Sequence, residues 1–115
     1  MSSLRASIDE WWVQHERGVV KDSEFTVWCI KGLANSETDI VTAYSELPDN
    51  YQYVIARNCT FAEQFFLQMI QRGNQVLSNQ EANANRNTLE RMVAASQKIA
   101  DYAKQVQDDS SHKEN

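Results

Sequence analysis

Residues 51–77 read YQYVIARNCTFAEQFFLQMIQRGNQVL, and the spacing inside this stretch decides the fold. Phe61, Phe65, Phe66, Leu67, Met69 and Ile70 fall inside ten residues. Apolar and small positions recur at Ile55, Cys59, Ala62, Phe66, Met69, Gly73 and Val76, alternately four and three apart. Steps of that size keep one seam on one side of a helix. The following segment repeats the rule at Ala82, Asn85, Leu89, Met92, Ser96, Ile99, Ala103 and Val106. Two long helices with matching seams predict an antiparallel hairpin over about 50–78 and 79–107. A turn centred near Asn79 pairs Val76 with Ala82, Gly73 with Asn85, Met69 with Leu89, Phe66 with Met92, and Ala62 with Ser96.

Two local signals compete with a continuous first arm. Tyr51, Tyr53 and Ile55 alternate as a strand would, and Thr60 with Glu63 forms a capping box for a fresh helix start. The seam nevertheless crosses residues 55–62 without a shift of phase, which predicts one helix, bent at most near Asn58–Thr60. Gly73 lies on the seam and costs about 1 kcal/mol of helix propensity relative to alanine. Its presence predicts close approach of another backbone.

Upstream, Leu4, Ile8, Trp11 and His15 follow helical spacing, and Gly18 supplies a stop with Val19 placed to fold back on the last turn. On that line Trp11 is the buried tryptophan. Trp12, about 100° further round the helix, is the exposed one and the candidate partner-binding residue. Asp22 or Ser23 caps a second helix that buries Phe25, Trp28, Cys29 and Leu33. Ser36–Asp39 announces a shorter third helix bearing Ile40, Val41, Tyr44 and Leu47, and Pro48 ends it. The fold class is therefore all-α: three short helices packed on a long hairpin. They are expected to bury Trp11, Trp28 and Tyr44 against Phe65, Ile70 and Val93. Residues 1–107 form a single helical domain in this reading, and 108–115 a polar tail.

Composition bounds the function. The 115 residues suffice for one domain with its own core. With 16 acidic against 11 basic residues the net charge is −5, which opposes binding to nucleic-acid phosphates. Two Cys do not make a disulfide framework, and no apolar run is long enough to span a membrane. The N-terminal residues lack the basic and apolar segments of a secretion signal, so a cytoplasmic location is expected.

No catalytic, cofactor-binding or metal-binding residue is assigned. HExxH, CxxC, Glu-x-x-His and glycine-rich phosphate loops are all missing, and His15 reads as a half-buried structural histidine. The expected function is a non-enzymatic protein-interaction module of the adaptor, inhibitor or immunity type, a homodimer being one form. The alternative is a small-molecule sensor or small helical enzyme with its site between helices.

Overall fold

The computed structural model describes residues 3–114. Six helices follow one another: α1 (Leu4–Glu16), α2 (Asp22–Ala34), α3 (Ile40–Ser45), α4 (Asp49–Arg57), α5 (Cys59–Val76) and α6 (Asn79–Glu114). The fold is all-α, and α5 with α6 makes the most extensive helix–helix contact. The base of α6 continues past α5 to meet α2, α3 and α4.

Each boundary has a local cause. Ser3 caps α1, its hydroxyl accepting from the Ala6 N–H at 3.1 Å. Gly18 takes the left-handed conformation, φ 77°. Its N–H then reaches the His15 carbonyl and that of Val19 the Gln14 carbonyl, each at 3.0 Å, closing the paired bonds of a glycine C-cap. The residue that folds back is Val20, which is buried, whereas Val19 stays exposed. At the start of α2 the Glu24 carboxylate accepts from the Lys21 N–H at 3.3 Å, so the cap sits one residue before Asp22. Asp39 caps α3 by accepting from the Thr42 N–H at 3.1 Å.

The first hairpin arm is two helices, not one. Asn58 leaves helical geometry at φ −117°, ψ 11°. Its side-chain amide donates to the Val54 carbonyl at 2.8 Å and so takes an acceptor that the main chain would have used. The Ala62 N–H restarts the ladder on the Asn58 carbonyl at 3.0 Å. Because the break costs one residue without rotating the seam, Ile55, Cys59 and Ala62 all remain buried. The helix restarts at Cys59 rather than through the Thr60–Glu63 capping box. At the other end α6 runs on to Glu114, past the expected helix end near Gln107.

Along the hairpin, Phe66, Ala62 and Cys59 on α5 are buried, as are Leu89, Met92, Ser96 and Ile99 on α6. A hydrogen bond from the Gln97 amide to the Glu63 carboxylate, 2.7 Å, ties the two helices across their outer edge. Gly73 is buried beneath the Asn85 side chain, whose amide occupies the space a Cβ at Gly73 would need. The close approach is thus by a side chain, not by backbone. Met69 and Val76 depart from the expected seam and are exposed. At 100° per residue both lie about 50–70° round α5 from the middle of the buried Cys59–Ala62–Phe66–Gly73 line, on its Phe65 side.

The rest of the core lies where α1–α4 meet the base of α6. Ile8, Phe25, Ile30, Leu33, Tyr44 and Ile55 are its fully enclosed members, with Ile99 entering from α6. The Tyr44 hydroxyl donates to the Gln52 carbonyl at 2.9 Å. Thr26 and Ser96, buried polar residues, donate to carbonyls one turn back at 2.8 and 3.0 Å.

Candidate interaction surface

The tryptophans occupy places the reverse of those expected. Trp12 is 9% exposed, its ring stacked on Tyr51 at 4.5 Å and set edge-on to Phe25 at 5.2 Å. Trp11 is only half-buried and meets Trp28 edge-to-face at 5.8 Å. The reason is the position of α4. Tyr51 comes up against the side of α1 that the Leu4–Ile8–Trp11 line leaves open, and Trp12 fills the corner between α2 and α4. Trp28, expected in the buried line of α2, stays partly exposed on the outer face. Gly32 admits Leu4 beside this pair, and the resulting shallow notch is lined by Trp11, Trp28, Lys31 and Asn35. Trp12, named from sequence as a partner contact, is thus not at the surface.

Polar groups close the same corner. The Tyr51 hydroxyl donates to Asp9 at 2.8 Å, and the Arg5 guanidinium reaches the same carboxylate oxygen at 3.0 Å. Arg5, more than Tyr51, holds the Asp9 carboxyl below its ordinary value. His15 lies between Trp12 and Phe25 and meets the Asp22 carboxylate through Nε2. It is half-buried, as the sequence reading placed it. Both thiols are free and buried; burial pushes that of Cys59 up to about 12 and that of Cys29 further. A thiol so desolvated is a poor nucleophile.

An open groove of about 590 Å³ lies between α4 and residues 100–107 of α6, walled by Tyr53, Arg57, Tyr102 and Lys104. Part of its polar lining is engaged within the protein. The Gln52 amide donates to the Ser45 and Leu47 carbonyls at 3.1 and 2.7 Å. Arg57 donates to the Tyr53 hydroxyl at 2.7 Å. The groove is open along one side, whereas small-molecule sites enclose most of the ligand surface. Among the described residues no group of three His, Cys, Asp or Glu side chains could hold a metal ion, and no helix is long and apolar enough to cross a membrane.

The unusual surface is on α5. Phe61, Phe65 and Met69, spaced four apart, are 51%, 36% and 42% exposed, and Val76 at the end of the helix is 73% exposed. The Phe61 and Phe65 rings stack at 6.4 Å, and Phe65 meets the buried Phe66 edge-on at 5.8 Å. Gln68 and Arg72 complete the flank and are also exposed. On α5 only one carboxylate occurs, Glu63; it is turned towards α6 by its bond with Gln97. Sequence reasoning placed Phe65 under the N-terminal helices and Met69 and Val76 in the seam, and so missed the flank. The signal available was the second four-apart series, Phe61–Phe65–Met69, displaced from the first. Ile70 and Val93, named with Phe65, do pack against the core. Against known families, characterised proteins and solved structures the chain finds no match.

Proposed function

We propose that this chain is a non-enzymatic protein-interaction module whose docking surface is the exposed flank of α5. One observation carries the reading: four large apolar side chains, two of them phenylalanines, share one face of α5, roughly 90° round the helix from its buried Cys59–Ala62–Phe66–Gly73 line. Isolated apolar side chains on a surface are ordinary, but a contiguous apolar series rimmed by polar residues is a mark of interaction sites. Phe61 and Phe65 are of the aromatic type enriched at such interfaces. The acidic balance of the chain argues against nucleic acid as the partner, and the two unpaired thiols suit a reducing compartment such as the cytoplasm.

The test is capture on the immobilised full chain, compared with a Phe61→Ser/Phe65→Ser variant. Both positions are exposed, so the variant should keep its helical signal and its melting temperature within a few degrees. A partner retained by the native chain and lost by the variant is the expected outcome. A capture profile identical for the two chains would remove α5 from the docking role.

A further inference from the structure

We propose that Ser36 is a phosphorylation site whose phosphate is received by Arg91 and Lys98 of α6. A cleft of about 290 Å³ lies between α6 and the five-residue connection from α2 to α3. Ser36 and Asp39 border it from the connection, and Arg91 and Lys98 from α6. The two cations stand seven residues apart, two turns along one face of the helix. Between them the wall is Ala94 and Ala95, whose methyl groups leave the space open. Both cations are exposed, and among the described residues neither is ion-paired; the ion pairs there are Arg5 with Asp9 and His15 with Asp22. The Asp39 carboxylate is drawn towards α3, one oxygen accepting from the Thr42 N–H and hydroxyl at 3.1 and 3.2 Å.

Ser36 is partly exposed, in an irregular connection that a kinase can reach. Glu37 and Asp39 follow it at the first and third positions, which suits a kinase whose substrate groove is basic. Such an enzyme transfers the γ-phosphoryl group of ATP. The Ser36 Oγ bonds to phosphorus, the bond to the bridging oxygen breaks, ADP leaves with that electron pair, and the hydroxyl proton passes to the base of the kinase. Phosphoserine brings about −1.5 to −2 charges and three acceptor oxygens. Beside Glu37 and Asp39, on a chain at net −5, that charge would be repelled if nothing answered it. The guanidinium and the ammonium across the cleft answer it with charge-assisted hydrogen bonds. The phosphate thereby pins the connection, and with it the end of α2 and the start of α3, onto α6.

The test uses the full chain with phosphoserine installed at position 36 during synthesis. At low salt its melting temperature should exceed that of the unmodified chain by about 5 °C, and the gain should shrink as salt is added. In an Arg91→Gln/Lys98→Gln background, where both replaced side chains are exposed, the same phosphate should lower the melting temperature instead. Phosphorus NMR gives a second readout. The second ionisation of the phosphate, ordinarily at about pH 6, should move down in the native background and return in the double variant. A phosphate that destabilises the native chain, or whose ionisation ignores the two substitutions, overturns the proposal. Saturable binding of inorganic phosphate to the unmodified chain at Arg91 and Lys98 would give the cleft to a phosphate from outside and overturn Ser36 as its source. Peptide mapping of the chain purified from its own cells should place phosphate on Ser36, and a Ser36 found only as the free hydroxyl overturns the assignment.

Discussion

Replacing Trp12 with alanine removes the side chain that joins α1 to both α2 and α4. Its ring has Tyr51 stacked on one side, Phe25 edge-on and His15 alongside, at centroid separations of 4.5, 5.2 and 4.7 Å. Truncation of a large buried aromatic to alanine costs about 3–5 kcal/mol. Each lost aromatic pairing contributes about 0.5–1.5 kcal/mol beyond its area, so we expect about 4 kcal/mol. Tyr51 would lose its stacking wall while keeping its bond to Asp9, so relaxation could refill only part of the space. Urea unfolding followed by helical circular dichroism gives the midpoint without relying on tryptophan fluorescence, and an unchanged m-value would confine the effect to stability. Trp11→Ala, made in parallel, should lose about half as much or less, since its ring is half-buried and rests on the partly exposed ring of Trp28. A larger loss from Trp11 than from Trp12 would refute the assignment of the corner to Trp12.

Neighbouring phenylalanines should behave oppositely: Phe66→Ala, fully enclosed, should cost about 3–5 kcal/mol, and Phe65→Ala, 36% exposed, about 1 kcal/mol or less by the same unfolding assay. Similar losses would mean that the hairpin layer is misplaced. Gly73→Ala should gain up to about 1 kcal/mol of helix propensity only when Asn85 is also truncated to alanine, because the new methyl meets the Asn85 amide. A double-mutant cycle showing no coupling between the two positions would contradict that contact. Above about pH 9, stability should fall. Burial, followed by the bond to Asp9, pushes Tyr51 up to about 12, and burial does the same for Cys59, from ordinary values of 10.0 and 9.0. Cys29 and Tyr44 are raised too, chiefly by burial. Groups raised on folding stabilise fully below their unfolded values and lose that contribution as pH climbs through the folded ones. Melting temperature should therefore hold to about pH 9 and decline between about 9 and 12, and a flat profile across that window would contradict the burial of these groups.

The hairpin was legible because its seam is periodic over both arms, and the same seam correctly matched Gly73 with Asn85. What escaped sequence reading were choices made by elements distant in the chain. Trp11 and Trp12 differ only by a step round α1, and which one is buried depends on where Tyr51 of α4 arrives. The break at Asn58 turns on one side-chain amide taking the Val54 carbonyl, a competition that periodicity does not register. The flank of α5 was hidden by its own hydrophobicity. Phe61, Phe65, Met69 and Val76 look like core when the second apolar face of a helix is assumed to need one.

The length of α6 has a consequence for motion. At 36 residues it is twice as long as α5, which has 18, and it carries the hairpin on to α2, α3 and α4. Near the turn its buried residues are Ala82 and Leu89; towards the base they are Met92, Ala95, Ser96 and Ile99, with α2, α3 and α4 around them. Amide protons along this single helix should therefore exchange on a gradient. Those around residues 82–89 would escape through local opening of the tip, and those around 92–99 only when the whole domain unfolds. The Met69–Val76 half of the α5 flank lies along the more labile part, so a partner that clamps it would slow exchange at the tip of α6 without touching α6 at all.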